Sequence, residues 1–234
     1  MEYRQVVPAR FLERPNRFVA WVEVEGRREV AHVKNTGRCR ELLLPGTKVF
    51  LAPSDNPLRR TKFDLVSLEK EHPGQPPLMV NLDSQAPNQV AAEWLPRSGL
   101  FAPDAQFRRE VTWGTSRFDF QIQEGEKSTF LEVKGVTLEE EGVALFPDAP
   151  TQRGARHLRE LAAWRKTGGG ACVLFVVQMA GMREVRPHDR RDPAFGEALR
   201  EAASAGVRLL AVECRVTPAS LTAERLLPVC LAPR

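Results

Sequence analysis

Asp119, Glu132 and Lys134 are the residues of this chain whose types and spacing can do chemistry. They lie in residues 116–135, SRFDFQIQEGEKSTFLEVKG, with the lysine two places after the glutamate. Two carboxylates are hard oxygen ligands for Mg²⁺ or Mn²⁺; such an ion keeps several waters and bridges to phosphate oxygens. The ion acidifies a bound water and neutralises charge growing on a phosphodiester. A lysine two residues beyond the glutamate faces the same side of a strand. There it can orient that water or stabilise the added negative charge. The plainer reading is an ion pair among the same three side chains, of little energetic weight if exposed. The bare spacing often arises by chance.

The elements that must position these residues read as two strands and a turn. Arg117 to Ile122 alternates, with Arg117, Asp119 and Gln121 on one face and Phe118, Phe120 and Ile122 on the other. Glu124 to Ser128 is a turn by composition, and Thr129 to Val136 is the second strand. Its alternation places Phe130, Glu132, Lys134 and Val136 on one face and Leu131 and Val133 on the other. An acid on one strand followed by Glu-x-Lys on the next resembles the core of the PD-(D/E)XK nucleases.

The chain has 234 residues, 42% hydrophobic and 27% charged, which excludes a disordered polymer. No run approaches the roughly 20 apolar residues of a membrane helix. The opening residues lack a signal peptide's apolar stretch, so a cytoplasmic location without membrane association is expected. Cysteines 39, 172, 214 and 230 lack metal-ligand spacing and read as buried free thiols of a reducing compartment. The net charge of +4 is localised: residues 1–77 hold 14 basic against 10 acidic side chains, and residues 78–234 hold 20 of each. A basic surface on one part of a chain favours a polyanion, most often nucleic acid, over an ordinary solvated surface.

Residues 6–70 read as about five short strands with no helix longer than a turn, which suits a small closed barrel of the OB type. An SH3-like barrel fits nearly as well. The expected loops carry Lys34, Arg38, Arg40, Arg59, Arg60 and Lys62. Phe18 and Trp21 lie in alternating segments and are expected in the barrel core, with base stacking as the alternative. His72 to Pro77 holds three prolines and a glycine and reads as a linker between a domain at 1–77 and another at 78–234.

Beyond it, Ala86 to Leu95 reads as a helix bearing Glu93, and Phe107 to Trp113 as a strand. Val143 to Phe146 is a short strand, and Glu139-Glu140-Glu141 before it reads as a solvated turn. Thr151 caps the strongest helix, reaching Lys166, on which Arg153 and His157 share a face. Ala171 to Met179 is apolar enough for a central strand covered on both sides. Asp192 caps a further helix, Val207 to Cys214 is a strand, and Arg225 to Cys230 an edge strand. The fold class expected is α/β (an α+β mixed sheet flanked by helices) behind an OB-like five-stranded barrel.

The segments NTGRCRELLLPGTKV (35–49), NPLRRTKFDLV (56–66), SRFDF (116–120), FLEVKGVTL (130–138), GVALFPDAPTQRGARHLREL (142–161) and VLFVVQ (173–178) together resemble the sugar fermentation stimulation protein (SfsA) family. The resemblance covers nearly the whole chain. It implies a basic OB-like domain joined to a PD-(D/E)XK-like domain, non-specific DNA binding, and a regulatory role in maltose metabolism. It also implies that Asp119 and Glu132 hold Mg²⁺ (or Mn²⁺), with the Val133 carbonyl and Glu93 as further ligands, while Lys134 serves the water or the transition state. Arg153 and His157 either contact the phosphate or form a helix face tied to carboxylates. Lys34, Arg38, Arg40, Arg59, Arg60 and Lys62 would grip DNA phosphates without reading bases. Two positions depart from the expected pattern: Phe118 precedes Asp119 in place of proline, and Cys39 stands where a larger apolar residue is expected.

Three functions compete: a metal-dependent DNA endonuclease, a DNA-binding regulator on a nuclease-like scaffold, and a protein without nucleic acid. All three site residues are present, which favours the first. A two-fold homodimer is the default arrangement if both strands are cut.

Overall fold

A computed structural model describes residues 1–35, 37–54, 58–59, 61–72 and 74–232. Six strands open the chain: β1 (Val7–Asn16), β2 (Val19–Val24), β3 (Arg27–Val33), β4 (Lys48–Pro53), β5 (Phe63–His72) and β6 (Gln75–Asn81). They follow the order β3-β2-β1-β4-β5-β6, and a parallel pairing of β3 with β5 closes the first five into a barrel. Glu25 and Gly26 both have positive φ, the twist that lets a two-residue loop join β2 and β3.

Alternation along β2 sends Ala20 and Val22 into the barrel, each 0% exposed. Trp21 therefore faces outward beneath Arg28, and Phe18, in the turn before β2, is 45% exposed beside Arg17. The expected core placement of both aromatics is corrected: the period that buries their neighbours keeps Trp21 out.

The proline-rich segment is not a free linker. His72 pairs with Gln75 across a hairpin turn, and β6 continues the barrel sheet through Asn81. From there the chain enters the second half through a buried polar junction, in which the Asn81 N–H donates to the Gln178 carbonyl at 3.0 Å. Apolar packing runs from the barrel interior into the layer around Phe130, Leu158 and Phe175 without a break. Glu139 is likewise no solvated turn residue. It is 5% exposed and ion-paired with Lys70 of β5.

The second half holds α1 (Ala86–Trp94), a 3₁₀ turn at Leu95–Arg97, β7 (Gln106–Trp113), β8 (Ser116–Glu124), β9 (Lys127–Val136), β10 (Leu138–Glu140) and β11 (Val143–Phe146). It continues with α2 (Gln152–Lys166), β12 (Gly170–Val177), β13 (Glu184–Pro187), α3 (Pro193–Ser204), β14 (Arg208–Thr217) and β15 (Ser220–Leu227). The main sheet has the order β15-β14-β12-β9-β8-β7, with β12 parallel to both neighbours. Its continuous apolar run suits that central place, because α2 and α3 pack on one face and α1 on the other. Thr151 and Asp192 cap α2 and α3 by accepting from the Gly154 and Phe195 N–H groups. The small strands β10, β11 and β13 form a separate three-stranded sheet. Among the described residues no helix is long and apolar enough to cross a membrane.

Candidate active site

The site forms where the sheet opens. The β8–β9 ladder runs from Glu124↔Lys127 to Phe120↔Leu131 and stops. Across β7 the register passes from Arg109↔Phe120 to Val111↔Phe118, skipping Glu110, whose φ is +58°, and Asp119. Asp119 takes up the backbone group left over: its Oδ2 accepts the Val133 N–H at 2.7 Å. Its Oδ1 accepts Asn88 Nδ2 of α1, also at 2.7 Å. The irregularity also corrects the expected alternation of β8. Phe118 stacks on Phe130 and meets His157 on the α2 side, whereas Phe120 and Ile122 pack with α1.

Glu132 is 5% exposed on β9. Its Oε1 accepts Lys134 Nζ at 2.7 Å and faces His157 Nδ1 at 2.6 Å. Arg153 Nε donates to His157 Nε2 at 3.3 Å, which leaves Nδ1 as the ring nitrogen that faces Glu132. The i, i+4 spacing on α2 makes this relay. The Oε2 atom of Glu132 is buried with no hydrogen-bond partner.

These surroundings push the two acids apart. Burial, then the neighbouring Glu132 charge, raises the Asp119 carboxyl to about 6. Burial also opposes ionisation of Glu132, but the His157 hydrogen bond and the Lys134 ammonium outweigh it and hold Glu132 below the ordinary range. A buried carboxylate oxygen without a donor is costly unless a cation faces it. Glu132 Oε2 beside Asp119 therefore fits a divalent ion that keeps most of its waters. Among the described residues no three His, Cys, Asp or Glu side chains converge into a preformed metal cage.

Residues 12–75 match the model of the SfsA N-terminal OB domain, and residues 85–220 match that of the sugar fermentation stimulation protein RE domain. The chain belongs to the SfsA family. A sugar fermentation stimulation protein homolog of Desulfitobacterium hafniense (strain Y51) is 48% identical over 223 residues, covering 95% of each chain. A Clostridium acetobutylicum homolog is 48% identical over 226 residues, covering 95% of this chain and 96% of its own. Among solved structures, Pyrococcus furiosus SfsA in complex with Ca²⁺ is similar with a TM-score of 0.85 and 28% identity, covering 98% of this chain and 97% of that one.

In this SfsA-family chain the structure brings Asp119, Glu132, Lys134, His157 and Arg153 together. Glu93 is sent elsewhere: it is paired with the Met1 ammonium at 2.8 Å and with Gln89, and Asn88 reaches Asp119 in its place. Residues 88 and 93 are five apart and so lie on different faces of the helix. Lys34 and Arg59 are not free phosphate grips either. Lys34 pairs with the buried Asp83 at 2.6 Å, and Arg59 forks onto Asp64. Arg38, Arg40 and Lys62 are exposed. Arg60 lies outside the described residues.

Asn88, Asp83 and Gln178 escaped the sequence reading. Gln178 is 1% exposed and donates to Asn81 Oδ1 at 2.9 Å and to the Asp83 carbonyl at 3.1 Å, fastening β12 to the barrel exit. Two signals were available. A lone glutamine ends an apolar run, and Gly135 directly follows Lys134. Glycine inside a strand marks close approach of another element. A Cβ there would meet Pro87 Cγ, beside Asn88, at 2.6 Å.

Proposed function

We propose that the protein binds DNA through the exposed cations of its barrel and hydrolyses phosphodiester bonds at Asp119, Glu132 and Lys134 with Mg²⁺ or Mn²⁺. The observation that carries this reading is the buried, unpartnered Oε2 of Glu132, next to a second carboxylate and an ammonium group. Glu132 Oε2 and Asp119 would hold the ion, which supplies Lewis acidity and an acidified water when bound. Lys134 Nζ is placed to favour negative charge on a phosphoryl oxygen. His157 holds Glu132 ionised and oriented, while Asn88 and the Val133 N–H hold Asp119. The Pyrococcus relative in complex with Ca²⁺ supports a divalent cation in this family.

The engagement of Lys134 with Glu132 favours a second reading, a DNA-binding regulator without turnover. Incubation with supercoiled, linear and single-stranded DNA in Mg²⁺, Mn²⁺ and EDTA separates them, run beside Lys134→Ala with binding followed on the same samples. Metal-dependent cutting lost in the variant, with binding kept, supports the nuclease. Binding with no cutting in either metal leaves the regulator, and loss of both sinks the two together.

A further inference from the structure

An open groove of about 570 Å³ runs along the barrel between β1 and the segment joining β3 to β4. That is within the roughly 300–1,000 Å³ of small-ligand pockets. Its floor is apolar: Phe11, Cys39 and Leu43 are 2%, 1% and 8% exposed. Its rim carries Arg17, Arg38 and Arg40, all exposed, and none has an ion-pair partner among the described residues. Of the acids nearby, Glu13 in the lining is paired with Arg28, while Glu41 and Asp148 lie close to Cys39.

The segment is held in an unusual conformation. Cys39 has φ +44°, which for a side-chain-bearing residue is uncommon and costs free energy. Arg14 keeps it in place, donating to the carbonyls of Asn35, Gly37 and Arg38 at 2.7 to 3.0 Å, and ties it to the β1–β2 turn through the Arg17 carbonyl at 2.7 Å. On its far side Gly37 abuts Asp148, so closely that a Cβ would lie 2.2 Å from Oδ2. Asp148 stands just ahead of α2, the helix that carries Arg153 and His157. The groove is thus tied to the segment that leads into the candidate site.

A cationic rim selects a polyanion, and an apolar floor needs an exposed, flat apolar group. A nucleic-acid strand has both only when its bases are unstacked, because a duplex turns its base faces inward. We infer that the groove takes an unstacked base of a single-stranded nucleic acid, with Arg17, Arg38 and Arg40 on the flanking phosphates. This rests on the reading that the protein binds nucleic acid, and it names the form: single strands, or duplexes with a frayed or looped segment. Phe18, exposed beside Arg17, offers a neighbouring stacking surface.

The test is fluorescence anisotropy in EDTA, which stops turnover, with labelled oligothymidylate and a mixed-sequence duplex of equal length. The wild-type protein should bind the single strand on the order of tenfold tighter, the size of one stacked base. Leu12→Trp, which fills the groove from a half-buried position without changing charge, should abolish that preference and leave duplex binding in place. Arg38→Ala combined with Arg40→Ala should weaken single-strand binding more than duplex binding and reduce the single-strand log–log salt slope by about 1.4. If Leu12→Trp fails to fold, as judged by its melting, the arginine pair decides. Equal or tighter duplex binding by the wild type, or an unchanged preference in a folded variant, overturns the inference. Single-strand preference without metal-dependent cutting would leave the groove standing and remove the nuclease. No binding of either form would remove the nucleic-acid reading itself.

Discussion

Asp119 and Val133 are joined by a hydrogen bond that belongs to neither strand's ladder: the carboxylate takes the N–H that β8 leaves without a carbonyl. A side chain thus completes the sheet, and the carboxylate is fixed by backbone. The other oxygen is held from α1 through Asn88, so the acid is clamped from two directions. Such a group would have little freedom to lose on taking up a cation, which would favour binding.

The raised Asp119 carboxyl makes stability depend on pH. Between 3.8 and about 6 the unfolded chain releases this proton before the folded one, so Asp119 lowers stability as pH rises through that window. The loss is at most about 3 kcal/mol. Urea denaturation in EDTA at several pH values should show it as a difference between wild type and Asp119→Asn, with the variant gaining relative stability toward neutral pH. An identical pH profile for the two proteins would contradict the assignment.

On the proposed reading, a cation at Glu132 would share that carboxylate with Lys134, which already donates to Oε1. Lys134→Met should leave Mn²⁺ affinity unchanged or tighter by calorimetry, while single-turnover cleavage falls by on the order of 10² to 10³. Weaker metal binding in the variant would mean that the lysine only shapes the carboxylate.

His157 acts through Glu132 and through packing against Phe118. His157→Ala removes a hydrogen bond to a buried charge and leaves a cavity, and should cost roughly 2–4 kcal/mol in urea denaturation. Part of what it removes holds Glu132 below its ordinary range; that contribution is present above the unfolded pKa and lost as pH falls. The destabilisation should therefore be larger at neutral pH than in acid.

Gly135→Ala tests the seam between β9 and α1. The added methyl would lie 2.5 Å from Gln178 Oε1 and 2.6 Å from Pro87 Cγ, so α1 must retreat. Stability should fall by about 1–3 kcal/mol, the range for overpacking. Calorimetric metal affinity should fall with it, as Asn88 is drawn away from Asp119. A destabilised variant with unchanged metal affinity would separate Asn88 from the site.

The sequence made most of this fold legible because its signals were local: period-2 strands, two capped helices and one apolar central strand. Asp119, Glu132 and Lys134 could be placed together for the same reason, since two adjacent strands and a turn carry them. What was hidden depends on contacts far apart in the chain. Lys34 counts as a surface cation until Asp83, 49 residues away, is seen beside it. Glu93 counts as a site acid until the helix phase shows that Asn88 holds that face. Phe118 departs from its alternation because a skipped pairing leaves no compositional mark. The SfsA-family resemblance implies the architecture, but the partner of each charged side chain is set by tertiary contacts that no local pattern carries.

Arg14 makes three N–H···O contacts to the segment that holds Arg38 and Arg40, and a fourth to the Arg17 carbonyl in the turn between β1 and β2. The segment is consequently set before any ligand arrives, and capture should proceed as a collision with a ready-made surface, without a folding step. Association would then be fast and strongly slowed by salt, with little ordering entropy to recover, and the lifetime of the complex would be governed by how well each base fits.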